Sequence, residues 1–329
     1  MANITIKDVA RIAGVSSASV SRYLNNGYLS EEKREAVKKA IEETGFVPSR
    51  QARLLRAGET HSIGVIIPKI DSEGISRIVL GITEVLSEAG YDVLLGNTGV
   101  NSDKELEYLN IFSRGNVDGI IYLASWLTPK HKRILKRSSY PVIVIGQKCD
   151  EVTCVYHDEE GAAKALTDLI LKRGRHDPAC IGISEKDQAM GAARIRGFRA
   201  SVKEHGLTIR EENIITCADD SMEEGCQKAK VLFDNDPGID ALYCASDYIA
   251  AGAMKVLKER GIRVPDQISV CGMGNTRISR VISPSLTTAQ YYYKTSGEEA
   301  ARLLLEDLKK KTLKKSIQLE YEIIENEST

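Results

Sequence analysis

The sequence predicts an all-α head followed by an α/β body of two doubly wound subdomains. Two observations carry this. Apolar residues recur at spacings of three and four from Ile6 to about Ile41, and from His61 onward short apolar runs alternate with amphipathic stretches. A third divides the body: after CVYHD, at 154–158, the strand–helix alternation begins a second time. A length of 329 residues accommodates two or three domains, and 42% hydrophobic with 28% charged residues is ordinary for a chain with a substantial core.

In the head, Ile6, Val9, Ala10 and Ala13 form one apolar stripe, and Thr5 with Asp8 is placed as a capping box. Gly14 breaks that helix. Ser16 caps a second one, from Ser17 to about Leu24, with Val20 and Leu24 facing inward. Its other face groups Ser17, Ala18, Ser21 and Arg22. Small residues let a helix approach base edges, and Arg pairs with guanine O6 and N7. Two helices joined by a tight Gly turn with such a face are the helix-turn-helix layout, or a solvated face on a small bundle.

The next segment decides between these. Ser30 opens a third helix with Glu31 and Glu32 in its first turn, a core stripe of Val37, Ala40 and Ile41, and an end at Gly45. Then Pro48 leads a short helix from near Ser49 to Gly58. Arg50, Arg53 and Arg56 repeat every third residue there, with Leu54 and Leu55 between them. So short a helix is unstable alone. Basic residues flanking an apolar wedge are what minor-groove insertion needs.

With TIKDVARIAGVSSASVSRYLN, the spacing to GFVPSRQARLLR and the IGVIIP strand directly after, the chain resembles the LacI/GalR family of bacterial transcription repressors over essentially its whole length. The resemblance implies a helix-turn-helix domain over 1–47, a hinge helix over 48–58 and a periplasmic-binding-protein-like body. The body's subdomains would be 59–157 plus 289–316 and 158–288 plus 317–329, with crossings near His157, Thr288 and Ser316. The DNA-contacting set is Thr5, Ser16, Ser17, Ala18, Ser21, Arg22, Asn25 and Tyr28, then Arg50, Arg53 and Leu54, with Leu55 at the family's wedge position.

Charge supports a nucleic-acid end. Residues 1–60 carry ten Lys/Arg against seven Asp/Glu and the rest 35 against 39, so a basic head sits on an acidic body. The seven Cys include no CxxC pair, and His has no zinc spacing, which reads as reduced thiols in a cytoplasmic protein with no metal. No leader and no long apolar run is present, so no membrane partner is expected.

The body reads in order as strand SIGVIIP, helix ISRIVLGITEVLSEAGY, strand DVLLGN, helix DKELEYLNIF, strand GIIYL, helix TPKHKRILKR and strand PVIVIG. The second set runs from helix EEGAAKALTDLILKRG through strand ACIGIS, helix AARIRGFRASVKEHG, strand IIT, helix SMEEGCQKAKVLF, strand ALYCA and helix DYIAAGAMKVLKERG to strand QISVCGM. A helix from about Thr295 to Lys311 and one strand, IQLEYEII, close the chain.

No catalytic constellation emerges. GMGN at 272–275 lacks the third Gly and the later acid of a dinucleotide fingerprint, and GxSxG, HExxH and paired carboxylates are absent. The chain is therefore not read as an enzyme, and no cofactor is expected. Ligand candidates lie after strands, where open α/β sheets bind ligands. They are Lys69, Asp71 and Ser72; Trp126, a ring to stack on a sugar or a partly buried loop residue; Gln147; Asp247, a ligand group or a helix cap; and Asn275, a ligand group or a turn residue. Arg194, in RIRGF, matches the RxxGF motif through which this family's Arg reaches its effector; the other reading is a helix-surface Arg.

The chain departs from the family at Gly274-Asn275, where many sugar-responsive members have Asp. With IDSEGIS after the first strand, this is closest to the trehalose- and sucrose-operon repressor subgroup, some of which sense a disaccharide phosphate. Lys69, with Arg77 and Lys148, would then supply the phosphate contact. The resemblance as a whole implies a homodimeric repressor of a carbohydrate operon on a palindromic double-stranded operator. A sugar or sugar phosphate would release it. The alternative is a regulator whose ligand strengthens DNA binding, either a purine-like corepressor or a phosphocarrier protein.

Overall fold

A computed structural model describes residues 4–24, 27–46, 60–114, 116–310 and 313–329. The chain divides into two compact units, Met1–His61 and Ser62–Thr329.

The first unit holds α1 (Ile6–Ile12), α2 (Ser17–Leu24) and α3 (Glu31–Thr44). The capping box forms: Thr5 N donates to Asp8 Oδ2 at 3.0 Å, and Asp8 N donates to Thr5 Oγ1 at 3.4 Å. Gly14, at φ +63°, carries the chain from α1 to α2 through the left-handed region that only glycine enters freely. Ser16 Oγ then accepts from Ser19 N at 3.2 Å, satisfying one of the open amides of α2. Ser30 precedes α3 but makes no side-chain cap, so the acids Glu31 and Glu32 alone serve that terminus. Val9, Ala10, Val20, Val37 and Ala40 are buried together, with Ile6, Ala13, Leu24, Ile41 and Phe46 packed against them. The predicted hinge helix, with Arg50, Arg53, Leu54 and Leu55, lies outside the described residues, as does Asn25.

The second unit contains two six-stranded sheets. The first runs in the order β11 (Ser316–Leu319), β5 (Thr153–His157), β4 (Val142–Ile145), β3 (Gly119–Leu123), β1 (Ser62–Ile67), β2 (Asp92–Asn97). The second runs β12 (Tyr321–Ile324), β10 (Thr287–Tyr291), β9 (Ser269–Met273), β8 (Ala241–Cys244), β6 (Pro178–Ile183), β7 (Ile214–Cys217). All pairings are parallel except β10 with β12. Helices cover both faces, so strands such as β1 and β3 are buried almost end to end, as their unbroken apolar runs predict. In the first half, helix Glu73–Glu88 lies against helix Tyr293–Lys309 at Gly81 and Gly297. A Cβ on Gly81 would strike the carbonyl oxygen of Lys294, and one on Gly297 that of Ile78.

Three expectations are corrected here. The stretch IQLEYEII is not one strand: β11 pairs parallel with β5 in the first sheet and β12 antiparallel with β10 in the second, so the chain changes sheets at Glu320. The chain leaves the first sheet after β5, which ends at His157. The other two crossings, between β10 and helix Tyr293–Lys309 and between β11 and β12, come a few residues later than Thr288 and Ser316, because β10 stays with the second sheet and β11 with the first. The short helix Arg277–Val281 was not foreseen. All seven cysteines are free thiols. No described helix is long and apolar enough to cross a membrane, and no metal-binding cluster occurs among the described residues.

Candidate functional site

On α2, Ser19 and Val20 turn into the head's core while Ser17, Ala18 and Arg22 are exposed and Ser21 is half-buried. The face read from the spacing is therefore assembled as expected. Tyr28 is 93% exposed, and Thr5 and Ser16 stand at the open ends of α1 and α2 while serving as caps. Arg34 fixes the approach to α3 by donating to Gly27 O at 3.2 Å and lying 5.6 Å over the Tyr23 ring. A small-residue helix face ending in an exposed guanidinium is suited to the major groove.

In the body, every candidate follows the carboxyl end of a strand. Lys69, Asp71 and Ser72 follow β1, Trp126 follows β3, Gln147 follows β4, Arg194 lies on the helix after β6, Asp247 follows β8 and Asn275 follows β9. These ends face one another across the two sheets, because side chains bond directly between them. Lys69 Nζ lies 2.7 Å from Asp220 Oδ1. Gln147 Nε2 donates to Asp187 Oδ1 at 2.9 Å and to Ser125 O at 2.8 Å. Glu73 Oε2 accepts from Arg277 N at 3.0 Å, and Arg77 Nη1 reaches Asn275 O at 3.5 Å. The spacing of strands and helices predicts the ends but not these partners: Asp187, Asp220 and Arg277 come from loops and a helix terminus with no motif of their own, and Glu73 stands in IDSEGIS without having been singled out.

Lys69 is not a vacant cation for phosphate. Burial alone would lower its pKa, but the bond and charge of Asp220, with Asp219 and Asp71, outweigh it and raise the value. Ser72 caps helix Glu73–Glu88, accepting from Ile75 N at 3.5 Å, while Asp71 is exposed beside it. Asp247 is wholly buried and is not the helix cap, which is Ser246. Its carboxylate accepts from Thr276 N at 2.7 Å, Thr276 Oγ1 at 2.9 Å and Thr288 Oγ1 at 2.6 Å. Burial pushes its pKa up against those bonds, and the same holds for Asp187. Asn275 takes φ +43°, a conformation Asn tolerates better than most residues. Its Nδ2 donates to Gln290 Oε1 at 2.5 Å, and its Oδ1 accepts from Arg280 Nε at 3.3 Å. It is both the turn residue and a bonded side chain at the sheet end.

Arg194 departs most from expectation. It is 5% exposed and does not reach freely into the cleft. Nε donates to Glu159 Oε2 at 2.7 Å, Nη1 donates to Ala245 O at 2.5 Å, and the guanidinium lies 5.9 Å from the Tyr291 ring centroid. Tyr291 Oη gives Glu159 Oε2 a second bond at 2.7 Å. The glycine of RIRGF explains the approach. A Cβ on Gly197 would strike Glu160 O, so its absence lets helix Gly191–Glu204 settle on helix Glu159–Lys172, bringing Arg194 to Glu159. Beside this pair His157 packs 4.9 Å from Tyr291 and 5.5 Å from Tyr293, and its Nε2 has no hydrogen-bond partner among the described residues. Burial drives the His157 pKa down, with Arg194 adding to that and Glu159 opposing it. Trp126 is half-buried on the loop after β3.

A helical head with an exposed reading face, followed by two sheets whose carboxyl ends meet across a polar seam, defines a DNA-binding regulator with a ligand-binding body. Residues 5–49 match "Bacterial regulatory proteins, lacI family", and residues 60–325 match "Periplasmic binding proteins and sugar binding domain of LacI family". The chain belongs to the LacI family of bacterial transcriptional regulators. It is 30% identical to the sucrose operon repressor of Staphylococcus xylosus, covering 96% of this chain and 98% of that one. It is 31% identical to catabolite control protein A of Priestia megaterium, covering 99% of each. A solved complex of the transcriptional regulator CelR with cellobiose superimposes with a TM-score of 0.76 at 26% identity, over 99% of this chain and 100% of the other.

Proposed function

We propose that this protein represses a carbohydrate-utilisation operon and leaves its operator when an uncharged sugar, disaccharide in size, binds between the two sheets. The observation that carries the reading is the set of polar side chains that bond across the seam between the two sheets, Gln147 to Asp187, Lys69 to Asp220 and Glu73 to the Arg277 amide, with Arg194 and Asn275 on the second-sheet side of it. Sugars are recognised by such convergent donors and acceptors beside a ring, a role Trp126 fills. The remaining Arg194 nitrogen, Nη2, would meet a hydroxyl. A sucrose operon repressor among the relatives and a cellobiose complex among the solved structures support the size. Because Lys69 is already matched by Asp220, a free sugar fits better than its phosphate.

Function as a homodimer in the cytoplasm completes the reading. One head reads one half-site, so a palindromic operator requires two. The ligand alters the cross-sheet contacts, and a preference of roughly 1–3 kcal/mol for one arrangement is enough to shift operator affinity. The protein would do no chemistry on the sugar. A ligand that strengthens operator binding is the second reading, favoured by the similarity to catabolite control protein A. A thermal-shift screen over disaccharides and their phosphates, followed by operator binding with each hit, tests the proposal. Free disaccharides should raise the melting temperature and weaken operator binding. Hits confined to phosphates, or sugars that tighten operator binding, would overturn it.

A further inference from the structure

We propose that Glu105 is a positioning residue for the effector, acting through the segment 124–128 that carries Trp126. The inference rests on the reading of Trp126 as a wall of the sugar site. Glu105 lies on helix Ser102–Phe112 and is 1% exposed. A buried carboxyl group is costly unless donors converge on it. Here Tyr122 Oη donates to Oε2 at 2.5 Å and Ser125 Oγ donates to Oε1 at 2.8 Å. His131, fully buried, places Nε2 3.3 Å from Oε2, although off the line of a hydrogen bond. Its Nδ1 accepts from Thr128 N at 3.3 Å, which leaves the ring proton on Nε2, facing Glu105. The His131 ring stacks against Tyr122 with centroids 6.0 Å apart.

The segment is pinned on both sides of the indole. Ala124 N donates to Ile145 O at 3.2 Å, and Ser125 O accepts from Gln147 Nε2. Leu127 packs on the cluster of Leu109, Tyr122 and Leu135. Thr128 caps helix Pro129–Arg137 in a reciprocal box with His131. Two of these anchors lead to Glu105: Ser125 directly, and Thr128 through His131. Trp126 sits between them, half-buried. One carboxyl group behind the sheet end therefore sets where the ring stands, without touching a ligand. Residues that order a contact group in this way improve affinity by removing the cost of ordering it on binding.

Trp126 is the chain's single tryptophan, so its emission reports this segment alone. The test compares full-length Glu105→Gln, Ser125→Ala and Ser125→Thr with the unaltered protein. In the absence of sugar, Glu105→Gln and Ser125→Ala should shift Trp126 emission to the red and raise its quenching by acrylamide. Ser125→Thr, which keeps the hydroxyl, should not. Cellobiose, as the probe, should bind Glu105→Gln about tenfold more weakly, while sugar-free operator binding stays unchanged. A lower melting temperature with unaltered Trp126 emission would make Glu105 merely structural and overturn the proposal. If Glu105→Gln does not fold, Ser125→Ala decides by the same emission and quenching. Cellobiose that binds by calorimetry without changing Trp126 emission would overturn the reading of Trp126 and the effector half of the inference. The sugar-free spectra would still decide the positioning half.

Discussion

The reading face of the head and the seam of the body treat their polar residues in opposite ways. On α2, Ser17, Ala18 and Arg22 face solvent, and the core behind them is complete without them. In the body, Lys69, Gln147, Arg194, Asp247 and Asn275 are bonded to other side chains or to backbone. A partner as large as a DNA duplex arrives from outside, so its contacts can wait exposed. A small ligand is enclosed, and the groups that meet it have to be satisfied when it is absent. Residue type thus pointed to both regions, but only the exposed one can be described without its bonding partners.

The contrast is sharpest at the two arginines. Arg194→Ala would leave Glu159 buried beside Tyr291 without its cation, and should lower stability by about 3–5 kcal/mol in denaturant melts. A loss below about 0.5 kcal/mol, the range of ordinary surface changes, would mean that the pair contributes nothing to the fold. A release assay on this variant is therefore informative only below its melting transition. Arg22→Ala should leave the melt unchanged and cost roughly 1–3 kcal/mol of operator affinity, with specificity relaxed at one base pair per half-site. Binding to operator and random DNA in the original ratio would remove Arg22 from the reading face.

The body should also respond to acid in a way the head does not. His157 is held neutral by burial, below its ordinary pKa of 6.5. A depressed histidine favours folding above the unfolded value, and that contribution is lost as pH falls through the folded one. Stability should thus decline below pH 6.5, by at most about 1.4 kcal/mol per pH unit from this group. His157→Phe, which keeps a ring against Tyr291 and Tyr293, should flatten that decline in thermal melts taken from neutral to acid pH. An unaltered slope would assign the loss to other groups. The smallest effect is expected at Lys69. Its ion pair with Asp220 is partly exposed, so Lys69→Ala should cost only about 0.2–1 kcal/mol, less at high salt. A larger loss, insensitive to salt, would show that the contact is better shielded than its exposure implies.

The same contrast explains how much was legible. Local chemistry was: the Thr5–Asp8 box, the Gly14 turn, the inward Val20 and nearly every strand of the body follow from spacings within a few residues. What was missed depends on pairs distant in sequence. Arg194 meets Glu159 from another helix, Lys69 meets Asp220 from the other sheet, and IQLEYEII divides because its halves find partners in different sheets. Glu105 and His131 look like ordinary polar residues on amphipathic helices, and only the tertiary fold closes them on each other. The one early signal was the RIRGF glycine, whose missing Cβ marks a close helix contact before the partner is known.

The central claim is that an uncharged sugar in the seam of the body loosens the grip of the head on DNA. Fluorescence anisotropy of labelled palindromic operator, titrated with the full-length protein in the presence of each disaccharide and its phosphate at fixed salt, measures this directly. A free disaccharide should weaken operator binding about 5- to 150-fold, as a coupling of roughly 1–3 kcal/mol implies, with its phosphate less effective. Operator affinity that rises with ligand, or that falls only with the phosphate, would contradict the account.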